Sequence, residues 1–126
     1  MRGRKTIEDY LKTIYILSRK KEVHACMIAD QLGVSRPTVS VFLRHLEADG
    51  FLTIDSSKAI SLTPKGLEIA QPVYERYEIL QRFLIRLGVD EKTAFHDACE
   101  MEHGLGDKSY QALKNLALQM EEKDQA

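Results

Sequence analysis

The chain has 126 residues, of which 44% are hydrophobic and 29% are charged, and its formal net charge is -1. This composition is that of a globular protein, and the length allows one core or a compact core with an appended helical unit. No stretch of about eighteen apolar residues occurs, and the basic N-terminus lacks the apolar segment of a signal peptide. We therefore expect a cytoplasmic protein that has no membrane partner.

The two halves of the chain differ in charge. Residues 1–65 contain 11 Lys and Arg against 7 Asp and Glu, whereas residues 66–126 contain 7 against 12. A basic first half suits a polyanion such as DNA, although chance placement of surface charge gives the same split. We predict two domains, 1–65 and 66–126. The two cysteines, Cys26 and Cys99, occur in unrelated contexts, which favours reduced thiols over a disulfide framework.

The first predicted helix runs from about Thr6 to Arg19, and a short basic segment precedes it. Core-facing side chains recur in the helix at helical spacing: Ile7, Leu11, Ile14 and then Leu17 or Ser18. The basic residues of the preceding segment are Arg2, Arg4 and Lys5. Such a segment either contacts DNA phosphates or is a solvated tail, and both interpretations stay open.

The stretch from Ala25 to Leu46 predicts two short helices separated by a tight turn. Gly33 supplies the turn because it adopts positive φ without a Cβ clash, and Ser35 and Pro37 are favoured at the start of a helix. One face of the second helix is apolar and carries Val39, Phe42, Leu43 and Leu46. The side chains that face outward are Thr38, Ser40, Val41, Arg44 and His45. A helix with small polar groups at its start fits the DNA major groove.

Two short alternating apolar runs follow, at 51–54 and 60–62, around the segment 55–59. They predict a two-stranded hairpin with a basic tip at Lys58. The preceding helix pair by itself is also compatible with a generic αα-hairpin. The added hairpin favours a winged helix-turn-helix.

A long helix is predicted from Thr63-Pro64 to Leu87, ending at Gly88. Its apolar residues alternate steps of three and four, as in helices that pack along another helix, within the subunit or across a dimer. They are Ala70, Val73, Tyr77, Leu80, Leu84 and Leu87. Pro72 lies inside this helix and is expected to kink it.

Two further helices complete the prediction. Asp90 caps a helix from Glu91 to about His103, which Gly104 ends, and Asp107 caps the last helix. The apolar residues of the last helix are Leu113, Leu116, Ala117 and Met120. The closing residues 121–126 are expected to fray.

The helix before the last one carries the residues most typical of chemistry. Cys99, Glu102 and His103 stand at i, i+3 and i+4, so their side chains share one patch, and His96 lies one turn earlier. A thiolate, a carboxylate and an imidazole form a coordination set for a divalent transition metal. The order of these residues does not indicate a zinc protease. Polar residues on a solvated helix face give the same pattern by chance, and that alternative stays open.

Six segments, in order along almost the whole chain, resemble the family of the diphtheria toxin repressor and the manganese transport regulator. They are D-Y-L-x-x-I-Y-x-L, I-A-x-x-L-x-V-S-x-P-T-V-S, L-x-x-D-G, L-T-P-x-G, G-V-D and A-C-E-M-E-H. The resemblance implies a mainly α protein: an N-terminal winged helix-turn-helix with a two-stranded wing, then a helical metal-binding and dimerisation domain. It implies no third, SH3-like domain of the kind found in longer iron-type members.

The resemblance also implies a metal site, by position in the motifs. The ligands would be Asp9, Cys99, Glu102 and His103, and His96 matches an ancillary-site histidine. Cysteine at the position of Cys99 is the iron-type residue, whereas aspartate at the position of Asp9 is the manganese-type residue. The chain combines the two types.

Three residues depart from both types or from one of them. Tyr77 replaces the family histidine of the long helix, and Lys12 replaces the acidic residue that manganese-type members carry on the first helix. Gln81 replaces a glutamate of the iron-type ancillary site. The sequence therefore predicts one principal ion per subunit rather than a two-metal site.

The implied function is that of a homodimeric, metal-responsive transcriptional repressor of metal-uptake genes. It would bind a palindromic operator in double-stranded DNA under the control of Fe²⁺ or Mn²⁺, without catalysis and without a small organic substrate. The residues expected to contact DNA are Thr6, Ser35, Arg36, Pro37, Thr38, Ser40, Arg44, His45 and Lys58.

Three alternatives stay open at this point. The first is a regulator of the same family that has lost or altered its metal sensing, which Tyr77 and Lys12 favour. The second is a metalloenzyme or metal-storage module, which needs a second constellation of residues that the sequence lacks. The third is a protein-interaction winged helix, against which the basic first half argues.

Overall fold

The computed structural model describes residues 3–125, apart from the side chain of Gln125, and this part of the chain is mainly helical. Its elements, in order, are α1 Arg4–Ser18, α2 Ala25–Leu32, α3 Arg36–Ala48, β1 Leu52–Ile54, β2 Ile60–Leu62, α4 Pro64–Arg86, α5 Glu91–Gly104 and α6 Asp107–Gln125. The predicted fold class is confirmed: a helix pair and a two-stranded wing precede a purely helical part.

The chain forms two compact units that meet inside α4. The first unit extends to Tyr74 and the second begins at Glu75. Pro72, where a kink was predicted, lies just before this junction, and α4 passes through it without a break. The predicted domain boundary after residue 65 stays a prediction.

In the first unit, α2 and α3 form the predicted helix-turn-helix. Gly33 between them has φ +69°, the left-handed conformation that glycine adopts without strain. Ser35 caps α3 because its Oγ accepts a hydrogen bond from the Thr38 amide at 3.2 Å. The four predicted core residues of α3 are all buried: Val39, Phe42, Leu43 and Leu46. Helical periodicity therefore sets which face of α3 is buried and which is exposed.

Helix α1 begins at Arg4, two residues earlier than predicted. The Arg4 guanidinium pairs with the Glu8 carboxylate at 2.9 Å, one helical turn away, which favours the earlier start of the helix. The expected basic arm is thus helical at Arg4 and Lys5, and Arg2 lies outside the described residues. The predicted core face is present, since Leu11 and Ile14 are fully buried in the same cluster as α3.

The wing is a short antiparallel pair in which Leu52 faces Leu62 and Ile54 faces Ile60. Its tip is ordered by Asp55, whose Oδ1 accepts hydrogen bonds from the Ser57 hydroxyl at 2.7 Å and the Ala59 amide at 3.0 Å. These bonds hold the pKa of the Asp55 carboxyl below its ordinary value. Lys58 at the tip has φ +70° and is exposed, as predicted for a basic wing.

The start of α4 is fixed by Thr63 and Gly66. Thr63 caps the helix as predicted, since its Oγ1 accepts a hydrogen bond from the Gly66 amide at 3.2 Å. The same hydroxyl donates to the carbonyl of Gly50 at 2.6 Å. A Cβ on Gly66 would lie 2.1 Å from the backbone oxygen of Phe51, so no larger residue fits there.

The second unit packs the later part of α4 against α6. Its buried cluster consists of Ile79, Tyr110 and Ala117, with Phe83 and Leu105 against it. Helix α5 begins at the predicted cap, where the Asp90 carboxylate accepts from the Thr93 amide at 3.0 Å. Gly88 before it has φ +103°, which suits the predicted end of α4.

The predicted apolar faces of α4 and α6 are only partly covered. Leu80 is fully buried, whereas Leu87, which follows the last residue of α4, is 59% exposed. On α6, Ala117 is buried and Leu116 is 47% exposed. The apolar faces of α4 and α6 are therefore partly buried within the second unit and partly exposed to solvent.

Helix α6 extends further than predicted. Helix α6 continues to Gln125 instead of fraying after Met120. Arg82 pairs with Glu121 at 2.5 Å, and Arg86 pairs with Asp124, so two arginines of α4 hold the last turns of α6. Over the described residues, no helix is both long enough and apolar enough to cross a membrane.

Candidate functional site

The exposed face of α3 carries most of the predicted DNA-binding residues. Those that are exposed are Ser35, Arg36, Pro37, Ser40, Arg44 and His45. Thr38 is half-buried, and its Oγ1 accepts a hydrogen bond from the Ser35 hydroxyl at 2.8 Å. Ser35 and Thr38 are thus engaged with each other at the start of the helix. Two hydrogen bonds thus close the first turn of α3, and Arg36, Ser40 and Arg44 on this helix are exposed.

The other two predicted DNA-binding residues lie on different elements. Lys58 is exposed at the wing tip, and Thr6 is half-buried on α1. An exposed lysine on a short, hydrogen-bonded turn is suited to a phosphate contact, which positions a protein on DNA without reading its sequence. Thr6 offers less of its surface to a ligand.

The last turn of α5 holds a carboxylate and an imidazole close together. The Nε2 atom of His103 lies 3.4 Å from Oε1 of Glu102, and their side chains are 11% and 1% exposed. Charged carboxylates are rarely removed from water unless cations or hydrogen bonds compensate them. A buried carboxylate beside an imidazole nitrogen is a donor pair that divalent Mn²⁺ or Fe²⁺ accepts.

The other two candidates on α5 are placed less closely. Cys99 is half-buried one turn before Glu102, and neither it nor Cys26 forms a disulfide. His96 is exposed, and its Nδ1 lies 3.4 Å from the carboxylate of its neighbour Asp97. Among the described residues of the second unit alone, no three potential ligand atoms lie within 4.8 Å of one another. The roles of Cys99 and His96 as ligands stay predictions.

Within the first unit, Asp9 is accompanied by a buried lysine. The Lys12 ammonium lies 4.0 Å from Oδ1 of Asp9, one helical turn away on α1. The Lys12 side chain is only 5% exposed, whereas Asp9 is 28% exposed. A fixed positive charge therefore stands beside the carboxylate that the resemblance assigns to the metal.

Tyr77, which replaces the family histidine, is buried in the second unit. Its ring meets Phe95 of α5 edge-on, with the ring centroids 5.7 Å apart. This aromatic contact links α4 to α5 and adds packing energy beyond the area buried. The position thus serves helix packing in this chain.

One residue beside the candidate ligands was missed by the sequence argument. Arg76 on α4 donates hydrogen bonds to the backbone carbonyls of Glu102 and Leu105. The two acceptors at the end of α5 are main-chain atoms, so no pairing of side-chain types in the sequence could have revealed these two hydrogen bonds.

Both parts of the chain match known families. Residues 4–60 match the family described as iron dependent repressor, N-terminal DNA binding domain. Residues 63–125 match the family described as iron dependent repressor, metal binding and dimerisation domain. The chain belongs to the iron-dependent repressor family. The order of the two matches is the order of the winged helix and the helical part.

Curated relatives agree with this assignment. The HTH-type transcriptional regulator MntR of Lysinibacillus sphaericus (strain C3-41) is 32% identical over 118 residues, which is 93% of this chain and 85% of the relative. The transcriptional regulator MntR of Salmonella typhimurium (strain LT2) is 36% identical over 110 residues, which is 86% of this chain and 70% of the relative.

Solved structures share the fold. One described as a manganese-dependent transcriptional repressor complex with manganese has a TM-score of 0.76 and 28% identity, and covers 88% of this chain. The manganese regulator SloR has a TM-score of 0.72 and 30% identity, and covers 92% of this chain. The chain spans about half the length of these solved structures, 52% and 54%.

These findings confirm the predicted resemblance and the predicted class of function. The protein is a metal-responsive, DNA-binding transcriptional regulator. The iron-dependent family and the manganese-dependent relatives confirm the prediction of Fe²⁺ or Mn²⁺ as its metal. The family is one of transcriptional regulators, a class distinct from enzymes.

Proposed function

We propose that this protein represses metal-uptake genes as a homodimer that binds a palindromic operator when Fe²⁺ or Mn²⁺ is bound. The observation that carries the proposal is the close pair of Glu102, which is buried, and His103, which is half-buried. This pair follows a winged helix that has an exposed face on α3 in the same chain. A repressor of genes acts where the DNA is, so we place this protein in the cytoplasm. The proposed function requires no small organic substrate.

We propose Asp9, Cys99, Glu102 and His103 as the ligands of one principal ion. Two carboxylates, one thiolate and one neutral imidazole suit Fe²⁺ better than Mn²⁺, because the soft sulfur adds less to a manganese complex. The positive charge of the ion would be neutralised jointly by the anionic ligands on α1 and α5. We leave His96 out of this set, since its side chain is 75% exposed.

Lys12 and Tyr77 favour a single ion. The ammonium of Lys12 would repel a second cation beside Asp9, and it can balance that carboxylate when metal is absent. Tyr77 packs on Phe95 and carries a phenol that is protonated near neutral pH, so it is a poor metal ligand. Both residues work against a two-metal site.

The proposed ligands come from α1, which belongs to the DNA-binding part, and from α5. Metal binding would therefore favour one arrangement of the chain, and the operator would bind that same arrangement more tightly. This is allostery in the thermodynamic sense, since each ligand increases the affinity for the other by the same factor.

A direct test is to measure how many ions the full-length protein binds. Elemental analysis and titration of metal-free protein with Mn²⁺ and with Fe²⁺ under anaerobic conditions should both give one tight ion per chain. A stoichiometry of two would contradict the roles given to Lys12 and Tyr77. Absence of binding would instead favour a regulator of this family that has lost metal sensing, the second candidate that these two residues motivate.

The wing lysine should add affinity for DNA of any sequence. We expect Lys58→Ala to weaken binding to specific and unrelated DNA about equally and to reduce the slope of log K against log salt by about 1, because one phosphate contact is lost. Fluorescence anisotropy at several salt concentrations measures both quantities.

The matched control for the wing is Lys92→Ala, which removes an exposed lysine from α5. We expect it to leave the salt slope unchanged. If Lys58→Ala also leaves the slope unchanged, the wing tip does not contact phosphate.

The apolar residues that are exposed on the second unit should be buried in the interface of the dimer. Ile85, Leu87, Leu116 and Leu118 are each more than a third exposed. We expect Leu116→Glu to raise the dimer dissociation constant at least about tenfold, because a buried carboxylate without a cation is costly. Analytical ultracentrifugation of the full chain provides the measurement.

Gln119→Glu, three residues further along α6 and exposed, introduces the same charge as a control and should leave the dimer intact. A wild-type protein that sediments as a 14.4 kDa species while it binds operator would contradict the homodimer itself.

A further inference from the structure

Arg76 on α4 places its guanidinium group at the end of α5. Its side chain is 19% exposed. Its Nη2 atom donates to the carbonyl oxygen of Leu105 at 2.7 Å and to that of Glu102 at 3.2 Å. Nη1 lies 3.4 Å from the Asp107 carboxylate, and the guanidinium lies over the Tyr110 ring, 4.4 Å from its centroid. All of these groups belong to the second unit.

The end of α5 needs such a partner. The last four carbonyls of a helix have no amide of the next turn to accept from, and they carry partial negative charge. Here the Leu105 amide donates to the carbonyl of Met101 at 3.1 Å. The Glu102 carbonyl is the next in order, and Arg76 donates to it. A positive charge at this end of the helix is also favourable to the helix dipole.

The Glu102 carbonyl has a special position in the chain. It belongs to the planar peptide group that joins Glu102 to His103, the two candidate ligands at the end of α5. A hydrogen bond to this oxygen therefore fixes the orientation of the peptide plane from which both side chains project. Gly104 and Gly106 follow directly, and glycine allows many backbone conformations, so the segment has little stiffness of its own.

We propose that Arg76 is a positioning residue for the metal site: it clamps the last turn of α5 so that Glu102 and His103 hold their ligand atoms in place before the metal arrives. This inference rests on the proposed metal-binding function. The arginine side chain is needed for its shape, since one planar fork reaches two carbonyls and a carboxylate while it stacks on Tyr110. A lysine would keep the charge but would reach fewer of these acceptors.

The test compares Arg76→Met, Arg76→Lys and the control Arg82→Met in the full-length protein. Arg82 lies on the same helix and pairs with Glu78 and Glu121, away from α5. Mn²⁺ titration gives the affinity. Co²⁺ is a second probe, because its visible absorption spectrum reports the geometry of the ligands. Thermal unfolding without metal shows whether each variant folds.

We expect Arg76→Met to weaken Mn²⁺ binding about 10- to 100-fold and to change the Co²⁺ spectrum, the size of effect typical of residues that orient metal ligands. Arg76→Lys should fall between Arg76→Met and wild type, and Arg82→Met should stay within about twofold of wild type. If Arg76→Met does not fold, Arg76→Lys decides the question, and the proposal requires it to bind Mn²⁺ more weakly than wild type.

Two results would overturn the proposal while the metal-binding function stands. One is Mn²⁺ affinity and a Co²⁺ spectrum in the folded Arg76 variants that equal those of wild type. The other is an equal loss in Arg82→Met, which would show a general effect on packing of α4. Failure of the proposed function is distinguishable, because wild-type protein itself would then bind neither Mn²⁺ nor Co²⁺.

Discussion

Gly66→Ala is expected to destabilise the protein by about 3 kcal/mol or more, because its Cβ would overlap a backbone atom that cannot move independently. The Cβ would lie 2.1 Å from the carbonyl oxygen of Phe51 and 3.1 Å from its carbonyl carbon. That carbonyl also accepts a hydrogen bond from the Thr63 amide at 3.1 Å, which ties the start of the wing to the start of α4. Relief of the overlap would pull these two segments apart. Urea unfolding followed by circular dichroism measures the change.

The control for this prediction is Gly106→Ala. A Cβ at Gly106 meets no atom within 4 Å, and its φ lies outside the left-handed range. We expect this variant to stay within about 0.5 kcal/mol of wild type, as surface substitutions usually do. A loss below about 1 kcal/mol in Gly66→Ala would show that the wing and α4 can separate at little cost.

Glu102→Gln is expected to weaken Mn²⁺ binding by at least about 100-fold, more than the loss of a residue that only orients a ligand. The substitution keeps the shape of the side chain but removes its negative charge, and the Glu102 side chain is only 1% exposed, so water screens that charge little. The amide is also a weaker donor to a divalent ion than a carboxylate. Electron paramagnetic resonance of unbound Mn²⁺ during titration gives the dissociation constant.

Glu100→Gln is the matched control, since it neutralises an exposed glutamate on the same helix two residues earlier. We expect its affinity to equal that of wild type within about twofold. Comparable Mn²⁺ affinity in Glu102→Gln and wild type would remove Glu102 from the ligand set. Thermal unfolding of both variants separates this result from a loss of folding.

The recognition helix could be predicted from the sequence because its determinants are local. The periodicity of Val39, Phe42, Leu43 and Leu46 sets its buried face, and Gly33 and Ser35 set where the turn ends and the helix begins. The need for Gly66 could not be predicted in the same way. Glycine is needed there because the backbone of Phe51, fifteen residues earlier in the chain, lies close to Gly66. That contact forms only once the wing has folded.

The candidate metal site also has features that the local sequence predicts and features that depend on tertiary contacts. The spacing of Glu102 and His103 placed both on α5, as found, and the motif resemblance named Asp9. Helical spacing could not show that His96, on the same helix, is exposed while Glu102 is buried, because burial depends on what packs against α5. The contact of Arg76 with the end of α5 escaped prediction because it is made to backbone carbonyls 26 and 29 residues away.

The extent of α6 was mispredicted for a related reason. A run of charged residues at the end of a chain usually frays, since it buries little apolar surface. Here Glu121 and Asp124 meet Arg82 and Arg86 of α4. These partners lie about forty positions earlier, so the sequence near the end of the chain gave no sign of them.

If metal controls DNA binding by this chain, its affinity for an operator depends on the bound ion. Fluorescence anisotropy measures this affinity for the full chain with an operator selected from random-sequence DNA, at fixed salt. The measurement is made with Mn²⁺, with Fe²⁺ under anaerobic conditions, and with excess chelator. Selection is run with metal and with chelator, so that neither state is favoured in advance. We expect metal to tighten operator binding about 5- to 150-fold, the usual range for allosteric coupling, and chelator to reverse the effect. Equal affinity with metal and with chelator, for operators from both selections, would show that metal does not control DNA binding by this chain.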